Sequence, residues 1–359
     1  MDRRTFMTRT ALGGSLAAST LAAPAYAQGK RTLTMVTTWP RGFAGVHDGA
    51  QFVADRITAL TDGQLTMDLK AAGELVGPFE VFDAVTSGQA DMYHAADYYF
   101  VGQHPAYAFF TTVPFGMTAQ ELTTWYYQGE GQALHDKLGE IFGLKSFLAA
   151  NTGAQTGGWF RKPIEGPEDF QGLRFRMSGL GGQALGKLGA SVQVIPGSEV
   201  YQALSSGAID GTEWIGPWAD EKAGFQEAAP YYYVASFHEP GPGASVAFNR
   251  EVYDSLTTSQ KQLVETVCQA ANGWGLALFD ANNAAALARL QAGGTQLMEF
   301  SDDVWDAFAK ASMETLDGYM DDPLFAEIRT SMTDSMKTTA DWISRSERAY
   351  LSQRNRVLG

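Results

Sequence analysis

At 359 residues the chain is longer than a single hydrophobic core usually supports, and its 45% hydrophobic content supplies apolar surface enough for two lobes. A net charge of −14 without clustered Lys or Arg argues against nucleic acid as a partner, because phosphate binding needs such clusters. The single cysteine, Cys268, rules out an internal disulfide; on its helix-like segment, 259–279, it reads as a small buried apolar residue.

The first residues carry Arg3, Arg4 and Arg9, then an apolar run from Ala11 to Ala23, then Ala25-Tyr26-Ala27, which fits an A-x-A cleavage site. Adjacent Arg3 and Arg4 before Thr5-Phe6-Met7 resemble the twin-arginine pattern, so residues 1–27 are read as an export signal and the mature protein as periplasmic. The run is too short to span a bilayer.

Thr32 to Thr37 predicts a buried strand, 49–60 a helix and Gln64 to Lys70 a second strand. A helix from Phe79 to Ser87, stopped by Gly88, leads into a strand over 90–95, and this alternation predicts an α/β lobe with a mainly parallel sheet. Val81, Ala84, Ser87, Gly88 and Asp91 have the spacing of Val200, Ala203, Ser206, Gly207 and Asp210. The repeat favours two related lobes and sets His94 opposite Glu213. Ligands of open α/β sheets bind beyond the carboxyl ends of the strands, where Glu213 and the stretch from His94 to Tyr99 fall.

Further along, 118–142 reads as helix, and Leu144 to Ala150 and Gly157 to Lys162 as strands around a polar turn, Asn151 to Gln155. Pro167 opens a short helix, and Leu173 to Met177 is a strand whose Arg174 and Arg176 share one face. A Gly/Pro stretch, 241–243, precedes a strand over 245–249, after which helices are expected to the end. Chain crossings near Asn151 and after Pro240 predict a hinge. The polar helical tail from 302 to 358 reads either as a brace packed on the lobes or as a dimer contact.

Gly179 to Ala184 matches G-x-G-x-x-A after a strand, but the next strand, 191–195, ends in Pro196-Gly197 without the acid that would hold a ribose, so dinucleotide binding is set aside. There is no H-E-x-x-H, Cys-based metal, G-x-S-x-G or Walker pattern. His47, His94, His104, His135 and His238 share no ligand spacing and read as surface or hydrogen-bonded structural histidines. Two carboxylates stand in apolar, aromatic surroundings: Glu213 before Trp214, and Glu239 between His238 and Pro240. One reading makes them the acid and base of an exported glycoside hydrolase. A second pairs each separately with Lys222 or an arginine. A third joins them with the amide of Gln155 as an oxygen set suited to Ca²⁺ or Na⁺, because a cation removes the repulsion between two close carboxylates. Arg176 would complement that set, since a guanidinium grips a carboxylate through two parallel hydrogen bonds. Trp159, Phe237 and Trp214 are the expected walls of the pocket.

Across nearly all of the mature chain the sequence resembles the substrate-binding proteins of tripartite ATP-independent periplasmic (TRAP) transporters. The resemblance rests on Thr38-Trp39-Pro40, Gly73-Glu74-Leu75 with Val81 to Met92, Val113-Pro114-Phe115-Gly116, Asn151-Thr152-Gly153-Ala154-Gln155, Gly172-Leu173-Arg174-Phe175-Arg176 and Ser206-Gly207-Ala208-Ile209-Asp210. Thr212-Glu213-Trp214, Gly216-Pro217 and Tyr231-Tyr232-Tyr233 followed by His238-Glu239 look like the branch that binds 2-oxo acids or lactate with a metal ion.

The resemblance implies an α/β, two-lobed periplasmic-binding-protein-like fold with hinge strands and long C-terminal helices, one of them across both lobes. Lobe I would take 28–150, with about 241–280 returning to it, lobe II 151–240, and 281–359 a helical region bracing the lobes and forming a dimer contact in some members. It implies that the protein is no enzyme and delivers a small organic acid to TRAP membrane subunits. By motif, Arg176 would clamp the ligand carboxylate, with Asn151 and Tyr98 or Tyr99 as further hydrogen-bonding groups. Gln155, Glu213, the carbonyl of Trp214 and Glu239 would hold the ion. Two glutamates, a ligand carboxylate and one arginine leave a charge that Ca²⁺ neutralises and Na⁺ halves, and both ions stay open. A receptor for a dicarboxylate or sugar acid is the alternative within the class; it needs a second cation, for which Arg174 is the candidate.

Overall fold

The computed structural model describes residues 29–358; the expected export signal lies outside the described residues. Among the described residues no helix is long and apolar enough to cross a membrane. The strands in chain order are β1 (Arg31–Thr37), β2 (Leu65–Lys70), β3 (Met92–Ala95), β4 (Leu144–Asn151), β5 (Gly158–Phe160), β6 (Arg174–Arg176), β7 (Ser191–Gln193), β8 (Gly211–Thr212), β9 (Tyr231–Tyr233), β10 (Gly243–Asn249) and β11 (Gln296–Met298).

They form two sheets, ordered β2-β1-β3-β10-β4 and β11-β9-β5-β8-β6-β7. The sheets share one plan. In the first, β1 pairs in parallel with β2 and β3; in the second, β6 pairs in parallel with β7 and β8. The chain then crosses from β4 to β5 and returns from β9 to β10. A strand arriving from the opposite lobe runs against its new neighbours, so β10 is antiparallel to β3 and β4, and β5 to β8 and β9. The sheets are therefore mixed where a mainly parallel one was expected.

The repeat seen in the sequence is a structural unit. The helices Val81–Thr86 and Gly197–Ser205 each stop at a glycine in the left-handed region, Gly88 at φ 79° and Gly207 at φ 75°, before β3 and β8. Each aspartate that follows is then bound twice. Asp91 N–H donates to the Thr34 carbonyl at 3.0 Å while its Oδ2 accepts from Thr34 N–H at 2.7 Å. Asp210 and Arg174 repeat the pair at 2.7 and 3.0 Å.

Apolar periodicity governs the packing. Leu33, Met35, Val53, Ile57, Val85 and Met92 sit in one continuous core, while Phe160, Phe175, Tyr233, Phe300 and Phe308 form a second cluster on the other sheet. The 118–142 segment is two helices, Ala119–Gln128 and Gly131–Ile141, because glycines at 129 and 131 interrupt it. The helix Thr258–Ala292, capped by the Thr257/Gln260 pair, has 35 residues and spans about 50 Å. Its first half buries Val264, Val267 and Cys268, and its second half sets Phe279 against Trp218 at 5.8 Å. It thereby touches both lobes. Strand β11 falls where only helices were expected; it pairs in parallel with β9, so part of the C-terminal region completes the second sheet.

Candidate functional site

The site is built from residues just past the carboxyl ends of the parallel strands and from the two crossings. Trp39 follows β1, Tyr98 and Tyr99 follow β3, Arg176 ends β6, and Glu213 and Trp214 follow β8. Gln155 lies on the first crossing and His238 and Glu239 on the second. The crossings are tied together: Gln155 N–H donates to the Glu239 carbonyl at 3.0 Å, and Asn151 Nδ2 donates to the Gly241 carbonyl at 3.1 Å. Between them lies a cavity of about 30 Å³ whose lining includes Trp39, Tyr98, Tyr99, Gln155, Trp214 and Glu239.

Two aspartates that the sequence reading did not single out hold these elements in place. Asp97, fully buried, opens the turn that carries Tyr98 and Tyr99; it accepts from Ser245 Oγ at 2.5 Å and Tyr93 OH at 3.2 Å. Asp220, also fully buried, holds the 213–216 loop. Its Oδ1 accepts from the N–H groups of Ile215 at 3.1 Å and Gly216 at 3.0 Å, and its Oδ2 from Trp159 Nε1 and Tyr232 OH, both at 2.9 Å. Pro217 and the acid three residues on were the legible sign, since both mark a helix start.

Arg176 is fully buried; it donates from Nη1 to Glu213 Oε1, and its guanidinium lies 5.0 Å over the Trp214 ring. Arg174 points to the surface and is paired with Asp210 at 2.5 Å. Glu213 and Glu239 are buried, and Glu213 Oε2, Glu239 Oε2, Gln155 Oε1 and both ring nitrogens of His238 have no hydrogen-bond partner among the described residues. Burial raises both carboxyl pKa values; Arg176 opposes this at Glu213, while Glu213 adds to it at Glu239. Burial, then Arg176, pushes His238 down to about 3, so its ring is neutral. Unpartnered, buried carboxylate oxygens lying close together, with an unpartnered carboxamide oxygen on the adjoining crossing, suit a hard cation.

Several expected placements differ. His238 is not a hydrogen-bonded structural histidine; one atom each from Glu213, His238 and Glu239 lie within 4.8 Å of one another. Sequence spacing could not reveal this, because 213 and 238 meet only across the fold. Trp159 and Phe237 do not line the cavity: the first stacks on Tyr232 at 4.0 Å and the second on Phe308 at 3.9 Å. Asn151 is buried but outside the lining, with its Oδ1 accepting from Gly153 N–H at 2.8 Å. Of the separate pairings considered, Glu213 does pair with an arginine, the buried Arg176, whereas Glu239 forms no ion pair with Lys or Arg among the described residues.

Two sheets of one plan, joined by crossings and facing each other over a charged cleft, define a two-lobed solute-binding protein. The chain belongs to the bacterial extracellular solute-binding protein family 7 (DctP), whose model matches residues 36–322. It is 43% identical over 280 residues to a monocarboxylate 2-oxoacid-binding periplasmic protein of Nostoc sp. (strain PCC 7120), covering 78% of this chain and 77% of that one. A TRAP periplasmic solute-binding protein of Pseudoalteromonas atlantica T6c, solved with sodium and pyruvate, matches with a TM-score of 0.86 and 34% identity over 90% of this chain and 99% of that one. A counterpart from Colwellia psychrerythraea, solved with calcium and pyruvate, matches at 0.86 and 35%, with the same coverage. The family consists of receptors for small solutes that work with membrane components, not of enzymes, so the hydrolase reading of Glu213 and Glu239 falls.

Proposed function

We propose that the protein is the periplasmic receptor of a TRAP transporter for a small 2-oxo or 2-hydroxy monocarboxylate, such as pyruvate or lactate, taken up together with Na⁺ or Ca²⁺. The observation that carries this is the buried Arg176 beside two buried glutamates with unpartnered oxygens, one of which, Glu239, lines a cavity of only about 30 Å³. Arg176 holds the ligand carboxylate, with Tyr98 and Tyr99 as further polar partners; Asn151, whose side chain is spent on Gly241 and Gly153, instead ties the crossings. Gln155, Glu213, the Trp214 carbonyl and Glu239 hold the cation. A bound cation neutralises the paired carboxylates and accepts oxygens of the ligand. Trp39, Trp214 and the two tyrosines exclude water from the cleft, which strengthens each charged contact.

The relatives solved with pyruvate and either ion support the ligand class. A dicarboxylate would need a second cation, and Arg174 is spent on Asp210 at the surface. In this reading lobe I takes 28–150 and about 241–280, lobe II 151–240, and the twin-arginine segment exports the folded chain. Exposed Trp342 (68%) and Leu358 (78%) support a dimer contact through the C-terminal helices.

A thermal-shift panel tests the reading. Ligand at a hundred times its dissociation constant should stabilise the protein by about 2.7 kcal/mol, so pyruvate, 2-oxobutyrate, lactate, succinate and sugar acids can be ranked with and without each ion. Silence from every 2-oxo and 2-hydroxy acid would sink it. Arg176→Ala should abolish acid binding while the far-ultraviolet circular dichroism stays native; retained affinity would refute the clamp.

A further inference from the structure

We propose that His238 is a metal ligand together with Glu213 and Glu239, so that the cleft is a mixed nitrogen–oxygen site able to take a borderline divalent cation such as Mn²⁺, Co²⁺ or Zn²⁺. The inference rests on the reading that the glutamate pair holds a cation, and adds to it a residue and a class of metal.

The imidazole is 2% exposed, yet neither ring nitrogen has a hydrogen-bond partner among the described residues. Two other buried histidines, His94 and His135, differ, whereas His47 Nε2 is also unpartnered among the described residues but lies away from any such carboxylate cluster. His94 Nδ1 accepts from Trp39 Nε1 at 2.9 Å, and His135 Nδ1 shares a hydrogen bond with Tyr126 OH at 2.9 Å. A packing histidine would be expected to satisfy at least one nitrogen in the same way. The His238 ring is instead aimed at carboxylates: Nε2 lies 4.0 Å from Glu213 Oε2. Two ligands about 2.1 Å from one ion are separated by about 3 to 4.2 Å, so this distance suits a shared cation.

The ring is also fixed in place. Glu239 N–H donates to Ser236 Oγ at 2.9 Å, which holds the loop, and the Phe237 ring lies 5.3 Å from the imidazole. On the other side a Cβ at position 181 would stand 2.7 Å from His238 Cβ, so Gly181 is what lets the helix Gly179–Lys187 approach. Na⁺ and Ca²⁺ take oxygen ligands and gain little from an imidazole, whereas first-row divalent ions bind nitrogen well. His238 would therefore set which metals the site accepts while leaving the oxygen ligands to serve either class.

The test uses the metal-stripped full chain titrated with Co²⁺, with and without pyruvate, followed by visible absorption and by proton magnetic resonance. Expected are a hyperfine-shifted exchangeable imidazole N–H in the wild-type protein, and Co²⁺ affinity at least tenfold weaker in His238→Ala and His238→Gln, while Ca²⁺ affinity changes less than threefold. Equal Co²⁺ affinity in wild type and variants would overturn the inference. So would an equal loss of Ca²⁺ and Co²⁺ affinity, which would make the ring a packing group. Where a variant does not fold, the wild-type resonance decides, and its absence at saturating Co²⁺ counts against the ligand role. Failure of Ca²⁺- or Na⁺-dependent acid binding would count against the receptor reading alone.

Discussion

At the scale of residues, the cleft gathers charge that the rest of the fold must hold still. Asp220 does this with four accepted hydrogen bonds. Burial pushes its carboxyl up to about 6, whereas those donors favour the charged form. Asp220→Asn replaces an acceptor oxygen with a donor facing other donors, and should cost about 1–3 kcal/mol in urea unfolding, with a matching loss of acid affinity as the 213–216 loop loosens. The glutamates predict a pH dependence of opposite sign to that of an ordinary ion pair. Their folded pKa values lie above the ordinary 4.5, so between that value and the folded ones the native state binds more protons than the unfolded state. Stability of the metal-free protein should therefore fall as pH rises above 4.5 through this window, and saturating Ca²⁺ should remove the fall. Melting curves from pH 4 to 8 with chelator and with Ca²⁺ check it; a rise with pH in chelator would refute it.

At the scale of elements, the twice-used helix–glycine–strand unit explains why β3 and β8 deliver their following residues to the same cleft. Gly88 stands in open space with φ 79°, so an alanine there meets no clash and suffers only the left-handed backbone. Gly88→Ala should cost about 1–2 kcal/mol by chemical denaturation. At Gly207 an added Cβ would stand 2.9 Å from Arg161 Nη1, the movable end of a side chain that donates to the Leu204 carbonyl at 3.1 Å. Gly207→Ala should cost at least as much, and a cost near zero at both positions would remove the conformational argument.

At the scale of the whole molecule, two crossings and one long helix connect the two sheets, and the proposed closure on ligand would use rotation about a few backbone dihedrals there. Among the described residues the tail beyond Ile343 contributes no buried residue, and Tyr350 and Val357 are exposed there. Removing residues 344–359 should leave the melting temperature and acid affinity unchanged but abolish the proposed dimer in sedimentation; a monomeric full chain would refute that contact.

Much of this was legible in the chain. Apolar runs bounded by glycines located most strands and helices, the repeat announced two related lobes, and the odd setting of Glu213 and Glu239 marked the cleft, because burial preferences and turn chemistry are local properties of a sequence. Partnership was not local. Whether Arg174 or Arg176 reached the cleft depended on Asp210 lying beside the first and Glu213 beside the second. The antiparallel β5 and β10 followed from the direction in which the chain re-enters each lobe, and the turn of His238 toward Glu213 from two segments folding together. Strands and their residue types follow from the order of amino acids; which charges face each other was decided only when the crossings brought the strand ends together.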